Sequence, residues 1–195
     1  MVNAHAPSVE ATPTGIPIGK LGMWIFLASE IMFFTGLLAA YIVLRMSNPQ
    51  WPGPEGHLSV PMGTTNTFVL ICSSTTIVLA LAAWQEGRLA SMRRWLLATA
   101  ALGSLFLVIK GFEYAAKFSH HIFPSTNIFW ACYFTLTGLH ALHVIGGIGF
   151  NLSVLAMSVR PVWARKAHWL ELAGLYWHFV DIVWIFLFPL LYLLS

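Results

Sequence analysis

A chain of 195 residues with 58% hydrophobic, 14% aromatic and only 9% charged side chains cannot cover a water-facing surface. Soluble domains carry about 25% charged residues, so this balance excludes a soluble globular domain and implies a membrane protein of one domain. The net charge of +3 is small, and its Lys and Arg residues fall at span ends and in loops, which gives no footprint for nucleic acid.

Residues 1–20 form a polar N-terminal segment. It has no apolar core and does not read as a signal peptide; the first apolar run would itself direct insertion. Residues 21–195 form the transmembrane domain. Its first span covers 21–44, "LGMWIFLASEIMFFTGLLAAYIVL". The loop "SNPQWPGPEGH" breaks helix with its prolines and glycines. The second span covers 65–84 and the third 95–114. "FPSTN" then offers Ser125, Thr126 or Asn127 as an N-cap. The fourth span, 127–159, exceeds the ~20 residues that cross about 30 Å of hydrocarbon, so it is expected to tilt or to project into water. The fifth covers 172–194. The expected fold is all-α: a polytopic membrane protein with a bundle of five transmembrane helices. Cys72 and Cys132 both fall inside spans and read as small buried residues rather than a disulfide or metal pair.

Basic residues set the orientation. Lys20 precedes the first span; Arg88, Arg93 and Arg94 lie between the second and third; Arg160, Arg165 and Lys166 lie between the fourth and fifth. All fall on one side of a five-span arrangement. The other side has Arg45 and Lys117, with Lys110 near the end of the third span. Positive residues stay inside, so the N-terminus is expected to be cytoplasmic and the C-terminus outside.

Five ionisable groups sit at membrane depth. Asp181 is the only aspartate in the chain, and it shares "YWHFVDIVWIFLF" (176–188) with His178. His140 and His143 have the same three-residue spacing in the fourth span, and Glu30 lies about 14 Å into the first. A charge at the bilayer centre costs roughly 2.5–3.5 kcal/mol, so these side chains are expected to face other helices, to pair, or to stay neutral. Glu30 in particular is expected to be largely protonated or hydrogen-bonded, because its helix is otherwise so apolar. A buried polar cluster of Glu30, His140, His143, His178 and Asp181 is the expected outcome.

Four readings of that cluster stand open: a structural hydrogen-bonded core, a proton-handling site, a haem or metal site, and a transport site. The lone H-x-x-H lacks the repeated histidine boxes of a membrane di-iron enzyme. No pair of Gly/Pro-broken helices marks a transport site. The remaining features have plain explanations. "SSTT" (73–76) suits bonds between helices, and Gly146, Gly147 and Gly149 suit close packing. Trp24, Trp84 and Trp95 suit interfacial anchors. Lys110 and Glu113 either pair with each other or hold a lipid headgroup. His168 and Glu171 stand at the cytoplasmic start of the fifth span, where they would cap it. No phosphate loop, dinucleotide fingerprint or nucleophile motif is present.

Four stretches, in order, carry a resemblance. "WIFLASEIMFFTG" (24–36) holds Glu30 after a serine; "GFEYAAKF" (111–118) holds a Glu-Tyr element; "GLHALHVIGG" (138–147) and "YWHFVDIVWIFLF" hold the paired polar residues, with Glu171 seven residues before His178. Together they resemble subunit III of the haem–copper terminal oxidases, over nearly the whole chain after residue 20. The resemblance implies an accessory, non-catalytic subunit of a bacterial proton-pumping cytochrome c oxidase that reduces dioxygen to water. It implies no cofactor in this chain, with haem and copper in partner subunits and room for bound phospholipid. The implied partners are the catalytic subunit I, the electron-receiving subunit II and membrane lipids, in a bacterial plasma membrane. Long members of the family have seven helices, and this chain matches from what would be the third. Related alternatives are subunit III of a quinol oxidase and a subunit accompanying a nitric oxide reductase. A small membrane haem or di-iron enzyme is the alternative of another class.

Overall fold

The computed structural model describes residues 15, 17–54, 56–161, 163 and 167–194. Most of the polar segment 1–20, and the basic residues Arg165 and Lys166, lie outside the described residues. The rest forms helices α1 (Ile18–Ser47), α2 (Val60–Gln85), α3 (Leu89–Ser119), α4 (Ile128–Ser158) and α5 (His168–Phe188), and a π-helical turn (Pro189–Leu193) continues α5. All five are long and apolar enough to cross a membrane.

The first three helices outrun at both ends the apolar stretches that predict them, whereas α4 stays within its 127–159. α3 has 31 residues, about 46 Å of rise against a hydrocarbon core of about 30 Å. Polar ends can remain helical because a helix bonds its own backbone, in water as in lipid. The consequence is largest at Lys117, which lies inside α3.

Local chemistry sets the ends. Ser59 caps α2 by accepting from the Met62 N–H at 3.4 Å, and Pro61 sits in the first turn, where an N–H is not needed. Gly87, at φ 74°, lets the chain leave α2 in the left-handed conformation that glycine tolerates. At "FPSTN" the cap is Asn127, whose side chain accepts from the Trp130 N–H at 2.9 Å. Asn127→Ala is expected to cost about 1 kcal/mol, read as earlier unfolding in a denaturant titration in detergent. α5 has no side-chain cap. Pro189 has no N–H to give, and the ladder widens past it, with the Leu194 N–H reaching the Pro189 carbonyl at 3.0 Å.

α5 is the spine of the bundle, packed against α2 and α4, while α3 lies against α2 and α4 on the far side. α1 leans mainly on α5, with slight contact to α4. Its only buried residues are Leu27, Phe34 and Tyr41, a single narrow stripe. The larger core is aromatic, built on Phe106, Phe129, Trp130, Tyr133, Trp177 and Trp184. Oily side chains such as Ile25, Met32, Phe68, Phe112 and Phe186 point outward, as suits a lipid solvent. Within lipid, close packing holds helices together, and glycines permit it. A Cβ on Gly103 or Gly147 would come within 2.5 Å and 2.8 Å of the Trp177 ring. Gly146 faces Tyr176 more loosely, and Gly149 meets nothing within 4 Å, so close packing does not explain that residue.

Candidate functional site

The five ionisable groups do turn toward protein, but they separate into three places rather than one cluster. Residues three apart on a helix point about 60° apart, so such a pair can share one neighbour or straddle two. His178 and Asp181 line one cavity, whereas His143 faces α1 and His140 faces α3 and α5.

The first place joins α1 to α4. Glu30 Oε2 lies 3.1 Å from His143 Nε2, and both side chains are about four-fifths shielded (20% and 18% exposed). His143 Nδ1 lies 2.8 Å from the Leu139 carbonyl, which can only accept, so Nδ1 carries a hydrogen. The Nε2–Oε2 contact then needs one further proton, held by either partner. Glu30 and His143 thus form a pair that shares a single proton. Tyr176 adds α5 by donating to the His143 carbonyl at 3.1 Å, and Phe34 sets its ring edge-on to the imidazole at 5.1 Å.

The second place lies between α2 and α5. His178 Nδ1 bonds Ser74 Oγ at 2.7 Å. Asp181 is 5% exposed and its carboxylate oxygens have no hydrogen-bond partner among the described residues. It lines a cavity of about 280 Å³ with Ser74, His178 and Ile185. The neighbouring serines and threonines also stitch helices: Trp177 Nε1 donates to Ser73 at 3.0 Å, and Thr76 bonds Thr99 at 2.7 Å. A buried acid without a partner should tolerate loss of its charge. Asp181→Asn is expected to leave thermal stability of the detergent-solubilised chain unchanged or raised by about 1 kcal/mol. A clear drop would reveal a partner that the carboxylate needs.

His140 is the third place and stands alone. It is fully buried between Phe106 (5.6 Å) and Trp184 (5.1 Å), and neither ring nitrogen has a partner among the described residues. Among the described residues no three His, Cys, Asp or Glu side chains converge as metal ligands would.

The densest polar site was only half visible from the sequence. Lys110 Nζ donates to Glu113 Oε2 at 2.9 Å and to the Tyr133 hydroxyl at 3.0 Å, and also to Tyr192. Lys117 donates to Glu113 Oε1 at 2.9 Å. Tyr133 and Tyr192 each donate to the same carboxylate, at 2.9 Å and 2.8 Å. Lys110 and Glu113 therefore pair, and Lys110 is too enclosed to hold a headgroup. The 110/113/117 spacing was available in the sequence; Tyr192, from the far end of the chain, was not. At the opposite end of the bundle Lys20 meets Glu171 at 3.2 Å, both about half exposed, joining the starts of α1 and α5. That contact replaces the capping expected of Glu171. His168, the first residue of α5, lies beside Trp169 at 5.5 Å.

Comparison with known proteins gives matches along most of the chain. The family model described as cytochrome c oxidase subunit III matches residues 4–195. Cytochrome c oxidase subunit 3 of Thermostichus vulcanus is 42% identical, over 90% of this chain and 87% of the relative. The Synechocystis sp. protein of the same name is 41% identical, over 89% of this chain and 74% of the relative. That of Corynebacterium diphtheriae is 35% identical, over 90% and 88%.

Proposed function

The chain belongs to the cytochrome c oxidase subunit III family, and from that premise we propose that it is the accessory, cofactor-free third subunit of a bacterial proton-pumping haem–copper oxidase. It sits in the plasma membrane beside the catalytic subunit I and the electron-receiving subunit II, where the complex reduces dioxygen to water with electrons from cytochrome c. Its N-terminus is cytoplasmic and its C-terminus outside, in line with Lys20, Arg88, Arg93, Arg94 and Arg160 at one end of the bundle. It stabilises the catalytic subunit and supports proton uptake.

The observation that carries this reading is the family match over nearly the full length. The geometry fits it. His143 and His178 are engaged by Glu30 and Ser74, and the outward face of α1 offers a broad apolar surface to a neighbour. The proton-related part rests on the Glu30–His143 pair, which can hold and release one proton near the inner half of the membrane.

Affinity purification of the tagged chain from native membranes in mild detergent tests the assignment. The expected result is co-purification of a larger membrane subunit with a haem spectrum and oxygen-reducing activity with cytochrome c. A chain that emerges alone, or with a partner that oxidises quinol or reduces nitric oxide, overturns it. For the proton role, Glu30→Gln in the purified complex is expected to slow proton uptake several-fold at unchanged haem content. Uptake equal to the parent's would leave the pair a structural bridge only.

A further inference from the structure

The end of the bundle opposite Lys20 carries more buried positive than negative charge. Lys110 and Lys117 are each 3% exposed, and Glu113, at 2%, is the carboxylate that both of them reach. Among the described residues this cluster therefore holds two amines to one carboxylate. Charge taken out of water needs a counter-charge or a dense set of dipoles. Lys110 has them: three hydrogen bonds, and four aromatic faces between 5.0 and 5.8 Å.

Lys117 is less well served. Its one hydrogen bond goes to Glu113, and the Tyr133 and Trp130 faces lie at 4.8 Å and 5.6 Å. An ammonium has three donors, so two remain without a hydrogen-bond partner among the described residues. Lys117 also lines an open cavity of about 250 Å³. Around that cavity stand His57 and His120, with ring centroids 5.5 Å apart, and Ser59, whose oxygen accepts from the Met62 N–H and so keeps its own hydrogen to donate; the Glu113 carboxylate, already engaged by both lysines, is the one acidic group in its wall among the described residues. Nitrogen and hydroxyl donors from the α1–α2 loop, the start of α2 and the end of α3 converge on one space beside an under-compensated cation.

We propose that this cavity binds a phosphate-type anion, held by Lys117 with His57, His120 and Ser59, which balances the surplus charge of the two lysines. Several donors from different sides suit a tetrahedral anion with several acceptor oxygens. Phe118 and Phe123, stacked at 5.7 Å and each 44% exposed, lie on the neighbouring helix end and loop. They give acyl chains a surface, so an anionic phospholipid headgroup and free phosphate are the two sources of the same chemistry.

The test uses the full chain in neutral detergent and follows its thermal unfolding at constant ionic strength. Three probes are added separately: phosphatidylglycerol, diacylglycerol with the same acyl chains, and inorganic phosphate. Phosphatidylglycerol is expected to raise the melting temperature by several degrees and diacylglycerol to leave it unchanged. A shift with inorganic phosphate as well identifies a free-anion site; a shift with phosphatidylglycerol alone identifies a headgroup site. The shift should vanish in Lys117→Gln, persist in Lys117→Arg, and persist in Lys20→Gln at the other end. If Lys117→Gln does not fold, phosphorus analysis of His57→Ala/His120→Ala provides the second measurement. That variant should retain less tightly held phosphorus per chain than the parent. No response to either phosphate probe, or a response undiminished in these variants, overturns the proposal.

Discussion

Glu113→Leu is expected to abolish stable accumulation of the chain in the membrane. The carboxylate accepts from Lys110, Lys117, Tyr133 and Tyr192, and every one of those donors is buried. Removing one member of a buried ion pair costs about 3–5 kcal/mol, because the other charge stays behind without compensation. Here two lysines are stranded by one substitution. The stability of a typical domain is about 5–15 kcal/mol, so the loss consumes much or all of it. The sharper expectation concerns repair. Replacing all three ionisable groups, Lys110→Met/Glu113→Leu/Lys117→Met, is expected to restore most of the accumulation, since apolar side chains of like volume often substitute for buried charge at little cost. Chain abundance in membranes, by immunoblot, checks both. A triple variant no better than Glu113→Leu would mean that the tyrosine hydroxyls, which lose their acceptor in either case, dominate the energetics.

The second large effect is mechanical. Trp177 is fully buried between α3 and α4, and its benzo ring passes over two glycines. A Cβ at Gly103 would lie 2.5 Å from Trp177 Cη2, and one at Gly147 would lie 2.8 Å from Cε3 and Cζ3. The indole is also tethered, since Nε1 donates to Ser73. Overpacking a core costs about 1–3 kcal/mol per site where neighbours can yield. In Gly103→Ala/Gly147→Ala the ring is crowded from both helices, so relief on one side closes the other. The double substitution is expected to cost about 4 kcal/mol or more, beyond the sum of its parts. Adding Trp177→Leu should recover part of the loss despite removing a large aromatic. Unfolding in mixed detergent micelles measures all four variants. A double variant as stable as the parent would show that the helices separate more freely than their packing suggests.

The contrast with Asp181 is instructive. It and Glu113 are both buried acids in apolar helices, and the sequence singles out Asp181 because it is the only aspartate. In the structure Glu113 is held by four donors and Asp181 by none among the described residues. Composition reveals that a charge is buried; only the tertiary fold reveals what meets it.

The same division runs through the molecule. The five spans were legible because lipid demands long apolar runs, and the Asn127 cap was among three adjacent candidates. Helix ends were not, since nothing in hydropathy stops a helix from running into water; this is why Lys117 looked like a loop residue. Position along the sequence gives how far along its helix each polar group lies, but not its azimuth. The pairs Glu30–His143 and Ser74–His178 join residues far apart in sequence, and the separation of His140 from His143 depends on how α4 is turned.

The stripe on α1 bears on how the chain is made. Leu27, Phe34 and Tyr41 find their seat chiefly against α5, and Lys20 closes on Glu171 at its start. α1 leaves the ribosome before α5, with three other spans between them. The earlier helix must therefore wait in the bilayer, loosely attached, until α5 emerges. The clasp between Lys20 and Glu171 shuts only then, so a nascent chain halted before α5 would leave α1 without its main anchorage.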